Sequence, residues 1–206
     1  MSLLERTVHE FLAGLATADP TPGGGSASAL AAAQGAALVA MVARLSPRDA
    51  PEAAAGAVER ADRLRTVLAD LVEADAQAFD AVMAAYRLPK TTPEEQARRR
   101  EAVQRALIAA SEVPLQVSAH AVEVLQTAAG LVDRANPSVI SDLGVAALLA
   151  ETGASGAGFN VMINARSIKD AATVAALRAR AAEAETAARR LRDAVVQAVA
   201  RRLASA

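Results

Sequence analysis

From Ser26 to Ala43 the chain carries no charged residue, and alanine is the commonest residue in that run, with Gln34 and Gly35 inside it. The stretch is long enough to raise the question of a membrane span. Alanine gives little drive into lipid, however, and small side chains let neighbouring helices approach closely, so the run is read as a buried helix. A helix of this kind needs other helices around it, and the rest of the sequence supplies them. Aromatic residues make up only 2% of the chain, while Ala, Leu, Glu and Arg dominate. That is the composition of an all-α bundle. With 206 residues, 53% of them hydrophobic, residues 1–206 are expected to form one domain with a proper core.

Periodicity and breakers place about seven helices. The first is expected from about Leu3 to Ala16, with Val8, Phe11, Leu12 and Leu15 on one face. The alanine-rich helix runs from about Ser26 to Leu45, and a long one from about Glu52 to Tyr86 follows Pro47 and Pro51. Thr92, Pro93 and Glu95 form a start signal, with Thr92 as cap and Glu95 closing a capping box. That helix is expected to continue to Arg134, bent at Pro114. Three more follow, from about Ser141 to Glu151, Ala154 to Ala165 and Ile168 to Leu203.

The balance of charge excludes several classes of function. A net charge of −1 and a pI near 6.2 give no electrostatic reason for binding nucleic acid or a membrane surface. A small molecule or a protein partner is expected instead. The chain has no cysteine, which rules out disulfides, thiolate nucleophiles and cysteine zinc sites. His9 and His120 fall in unrelated helices without the carboxylate spacing of a metal centre, so no metal and no Ser-His-Asp arrangement is expected. The first residues lack the basic-then-apolar pattern of an export signal, which makes the cytoplasm the default location.

Four polar features interrupt the helical pattern. Asp75 falls in the apolar stripe of Leu64, Leu68, Leu71, Ala78, Val82 and Ala85, whereas Glu73 lies on the polar side and is expected to be solvated. An inward carboxylate needs a partner or a job, because burying one unpaired costs several kcal/mol. The partner reading is a salt bridge to an arginine of another helix. Lysine occurs only at Lys90 and Lys169, against twenty arginines, so these two positions either need an amine or are ordinary surface residues. The only asparagines, Asn136, Asn160 and Asn164, share a 29-residue segment with Ser141 and Asp142. Asn160 and Asn164 are one turn apart and can read a heterocycle or bond a neighbouring backbone. Ser141 and Asp142 either cap a helix or serve a site. The fourth feature is Pro22-Gly23-Gly24-Gly25-Ser26, whose glycines free the backbone to approach a ligand at a helix start. It is neither a Walker loop nor a dinucleotide fingerprint.

Taken together, these strings resemble the cyclodeaminase/cyclohydrolase domain of the formiminotransferase-cyclodeaminase family. The likeness rests on Pro22 to Ser26 before the alanine-rich helix and on Asp75-Ala76-Gln77-Ala78-Phe79-Asp80 leading to Leu88-Pro89-Lys90. It continues through Val113-Pro114-Leu115, Asn136-Pro137 to Ser141-Asp142, and Phe159-Asn160-Val161 with Ile163-Asn164. The resemblance implies an all-helical homodimer that acts on a tetrahydrofolate derivative as substrate, with no permanently bound cofactor. Two reactions come with it: first, because the best-marked strings match the cyclodeaminase domain of the fused enzymes, closure of formiminotetrahydrofolate to 5,10-methenyltetrahydrofolate with loss of ammonia; and as the alternative, hydrolysis of that methenyl bridge to 10-formyltetrahydrofolate. It implies Asp75 as principal acid/base, with Asp142 and Ser141 orienting the pterin or sharing proton transfer. Pro22, Gly23, Gly24, Gly25, Ser26, Asn160 and Asn164 would line the pocket, with Lys90 and Lys169 on the glutamate carboxylates. A non-enzymatic helical dimerisation module or scaffold is the competing reading, and a cleft gathering Asp75, Asp142 and the glycine loop would decide between them.

Overall fold

The computed structural model describes residues 2–46 and 51–205, with only the backbone of 51–54. Among the described residues six α-helices follow one another: α1 (Val8–Leu15), α2 (Gly24–Leu45), α3 (Pro51–Tyr86), α4 (Pro93–Leu131), α5 (Ile140–Ala165) and α6 (Ala171–Ala204). Short 3-10 turns occupy Leu3–Glu5 and Pro137–Val139. The chain is all-helical as expected, with six α-helices in place of about seven. The expected break near Glu151 does not occur, and one helix runs from Ile140 through Ala165.

Gly153, which falls in the expected break, packs directly on α2. A Cβ there would lie 2.7 Å from Ala32 Cβ and 2.8 Å from the Ser28 carbonyl of α2. At Gly35 it would lie 2.9 Å from the Ala146 carbonyl of α5. These glycines are the price of bringing two helix backbones into direct contact. The pairings set α2 and α5 antiparallel, from Gly24 beside Asn160 to Leu45, whose carbonyl accepts from Asn136 Nδ2 at 3.0 Å. The apolar run that raised the membrane question is therefore the centre of the bundle, with Ala29, Ala32, Ala36, Val39 and Val42 buried among α3, α4 and α5.

The stripe on α3 behaves as read, with Leu64, Leu68, Leu71, Val82 and Ala85 all buried. A second, smaller apolar cluster joins Val82 and Ala85 to Val103 and Leu107 of α4, Val161 of α5 and Leu177 of α6. The N-terminal segment departs from expectation. Ser2 with Glu5 and Thr7 with Glu10 each close a capping box, so the chain makes a 3-10 turn, extends at Arg6, and only then enters α1. Phe11 is buried there, while Val8 and Leu12 are exposed. Glu73 is not free in solvent: its carboxylate accepts from Leu3 N at 2.7 Å and Ser2 Oγ at 3.1 Å, tethering this segment to α3.

Candidate functional site

Helix α2 begins without a side-chain cap, since Gly23 stands at the N-cap position. Its first amides have no intrahelical acceptor, and the helix end carries partial positive charge. Asp75 of α3 meets that end. The contact is close because Gly25 has no side chain: a Cβ there would fall 2.0 Å from Asp75 Oδ1 and 2.4 Å from its Cγ. The next residue, Ser26, is fully buried, and its Oγ lies 3.0 Å from Asp75 Oδ2 and 3.0 Å from the Val72 carbonyl. Among the described residues no arginine pairs with Asp75, so the inward carboxylate of the sequence is not half of a salt bridge.

Burial pushes the Asp75 carboxyl above its ordinary value, while the hydroxyl and backbone N–H of Ser26 pull the other way. A carboxylate serving only as a helix cap is held low by the amides and dipole it meets. Here burial wins, so this carboxyl holds its proton more tightly than an ordinary aspartate, as suits a group that takes up and returns a proton.

Asn160 stands beside this pair, with its side-chain amide 3.8 Å from where a Gly24 Cβ would be. Its Nδ2 donates to the Gly156 carbonyl at 2.9 Å, which leaves Oδ1 free of protein donors among the described residues. Asn164 takes the second of its two sequence readings, a bond to a neighbouring backbone. Pro114 has no N–H to give the carbonyl four residues earlier, and Asn164 Nδ2 donates to that carbonyl, Ala110 O, at 3.1 Å. The amide repairs the proline gap in α4 and fastens α5 to it. Asn136 likewise works on the backbone: it caps the 3-10 turn through Ser138 N and holds the end of α2.

Ser141 and Asp142 do not join the pair within the chain. They lie in the first turn of α5, whose N-cap is Val139, so neither caps the helix. Asp142 is eighteen residues from Asn160 along α5, roughly 27 Å at 1.5 Å per residue. Lys90 is exposed in the α3–α4 turn, past the end of a helix that rises about 17 Å from Asp75 to Tyr86. Lys169 is exposed in the α5–α6 loop, which Gln104 clamps by donating to the Ser167 carbonyl at 3.0 Å and accepting from Lys169 N at 2.7 Å. Sequence reasoning missed Gln104, since a glutamine on a polar helix face gives no signal. The described residues gather no group of three or more His, Cys, Asp or Glu able to hold a metal ion.

Comparison with known proteins bears on this geometry. The sequence profile of the formiminotransferase-cyclodeaminase family matches residues 7–183. The methenyltetrahydrofolate cyclohydrolase of Methylorubrum extorquens is 43% identical over 171 residues, 81% of this chain and 82% of that protein. The formimidoyltransferase-cyclodeaminase of Rattus norvegicus is 37% identical over 182 residues, and there the match spans 82% of this chain and 32% of the relative. The crystal structure of formiminotetrahydrofolate cyclodeaminase from Thermotoga maritima superposes with a TM-score of 0.83 at 27% identity, covering 95% of this chain and 96% of that one. With a profile match over most of its length and the same helical fold, the chain belongs to the formiminotransferase-cyclodeaminase family.

Proposed function

We propose that this protein is a folate one-carbon enzyme that hydrolyses 5,10-methenyltetrahydrofolate to 10-formyltetrahydrofolate, with Asp75 as its general acid and base. The observation that carries the reading is Asp75 itself: an inward carboxyl without a cation, set on the bare backbone of Gly25 and held above its ordinary pKa by burial. In the reaction, water adds to the cationic methenyl carbon and gives one proton to the carboxylate. The tetrahedral carbon so formed then opens: its hydroxyl gives its proton to solvent water, the bond to N5 breaks as the carbonyl forms, and the carboxylic acid returns its proton to that nitrogen, so that one proton is released overall. A negative carboxylate near the bridge also stabilises its positive charge in a partly desolvated site. The identity to the Methylorubrum extorquens cyclohydrolase, 43% against 37% to the Rattus norvegicus enzyme and 27% to the Thermotoga maritima one, favours hydrolysis. The second reading is cyclodeamination, in which N10 of formiminotetrahydrofolate attacks the formimino carbon and ammonia leaves, and the structural likeness to the Thermotoga maritima enzyme favours it.

Mixing the protein with 5,10-methenyltetrahydrofolate and following its near-ultraviolet absorbance against a buffer blank tests the first reading. Enzyme-accelerated loss is expected. No acceleration, with ammonia released from the formimino compound, overturns it in favour of the second.

We also propose a homodimer, formed in the cytoplasm by one helical domain. Support comes from an exposed apolar stripe on α5, where Val145, Leu148, Phe159 and Met162 are 46–70% exposed. Pairing α5 antiparallel with its copy sets Val145 against the partner's Met162 and Leu148 against the partner's Phe159, the self-complementary pattern of a two-fold interface. The same pairing carries Ser141 and Asp142 toward the Asn160 end of the other copy, where they would approach the side that holds Asp75. The glutamate tail of the substrate would then extend toward Lys90 and Lys169. A Val145→Asp/Leu148→Asp variant is expected to remain helical by circular dichroism, to elute as a monomer, and to lose at least about tenfold in turnover. A fully active monomer would remove Asp142 from the site.

A further inference from the structure

Ser26 is 0% exposed, so its hydroxyl does not reach a ligand, yet it sits at equal distance, 3.0 Å, from two acceptors. One hydroxyl proton serves only one of them at a time. When Asp75 is ionised, the proton turns to its Oδ2. When Asp75 is protonated, the proton turns to the Val72 carbonyl, and the Ser26 oxygen accepts from the carboxylic acid. Both charge states of Asp75 therefore find a partner by rotation about one C–O bond, with no heavy atom displaced.

We propose that Ser26 is a positioning residue that accommodates both the charged and the neutral form of Asp75, and that it does not bind folate. The proposal rests on Asp75 being the acid/base of the reaction described above. The surroundings leave this task to Ser26. Helix α2 carries no charge before Arg44, α5 presents the neutral Asn160, and on α3 Glu73 is turned to Ser2 and Leu3. Among the described residues no cation stands against the carboxylate to hold it ionised. Gly25 completes the device, because any side chain there would drive Asp75 off the hydroxyl.

The test compares Ser26→Ala and Ser26→Cys with the parent and with Asp75→Asn. In Ser26→Ala the ionised carboxylate loses a donor, so its titration moves up by roughly one to two pH units. Because the carboxylate takes the proton of the attacking water, the rising limb of the kcat–pH profile is expected to move up by the same amount. KM should stay within about twofold. On the rising limb kcat should fall about tenfold or more, since moving the limb up by one pH unit leaves about a tenth of the carboxylate ionised there. Ser26→Cys, a weaker donor of similar size, is expected between the two. Difference infrared spectroscopy of the protonated carboxyl band, assigned by its loss in Asp75→Asn, reads the same titration without substrate. A rise in KM with an unmoved pH limb and an unmoved carboxyl band would make Ser26 a substrate ligand and overturn the proposal. Full activity of Asp75→Asn overturns instead the assignment of Asp75 on which it rests.

Discussion

Gly25→Ala is expected to fold normally and to lose turnover about a hundredfold, the lower end of what general acid–base catalysis supplies. The added methyl falls 2.0 Å from Asp75 Oδ1 and 2.7 Å from Oδ2, inside any permissible contact. Its own helix fixes Gly25, so the side chain of Asp75 must swing aside, away from Ser26 and from the helix end. Folding does not suffer equally. Alanine is better than glycine in a helix by about 1 kcal/mol, which offsets much of the cost of displacing one half-buried side chain. A thermal midpoint close to that of the parent, combined with lost activity, is the expected signature. Equal activity would mean that the carboxylate works from some other position, or does not work.

Asp75→Asn keeps the shape and removes the proton chemistry, so kcat is expected to fall about 10²- to 10⁴-fold. Stability should move the other way. The native carboxyl titrates above its unfolded value, so the parent binds this proton more tightly when folded. Stability from that proton is present below the unfolded value and is lost as pH rises through the raised native one. Asparagine carries no such loss. At neutral pH the variant is therefore expected to melt at or above the parent temperature, and its advantage should vanish as pH falls through the ordinary carboxyl range. A variant less stable at neutral pH than in that acid range, relative to the parent, would show that the carboxylate is there to hold α2.

Much of the fold is legible because its signals are local. Thr92, with Pro93 and Glu95, marks a helix start and forms a full capping box, with Glu95 N donating to Thr92 Oγ1 at 3.2 Å. The period of Leu64, Leu68 and Leu71 tells which face of α3 is inside, and it puts Asp75 on that face. The alanine run announces a helix on which neighbouring helices pack closely. What fails depends on contacts across the chain. The stretch between Glu151 and Ala154 reads as a break until α2 lies against Gly153, and Glu73 reads as solvated until Ser2 and Leu3 fold back to it. Asn164 reads as either a pocket amide or a backbone partner, and what the sequence does not tell is that the carbonyl it satisfies is orphaned by Pro114, far earlier in the chain and on another helix.

The site shows the same division. Spacing along one helix places Asp75, and the glycine loop stands out by its chemistry, but only the register of α2 against α3 sets Gly25 and Ser26 on that carboxylate. Asp142 shows what a one-dimensional reading lacks. It shares a short segment of sequence with Asn160, yet a straight helix carries the two to opposite ends of the bundle. Periodicity tells which face a residue occupies and says nothing of how far along the bundle its partners stand.

The most direct test is a crystal structure of the protein with a tetrahydrofolate analogue whose one-carbon bridge cannot react. The bridge carbon is predicted to lie about 3–4 Å from the Asp75 carboxylate, or one water away, beside Gly24 and Asn160. An analogue bound elsewhere, with Asp75 still closed against Gly25 and Ser26, would contradict the assignment.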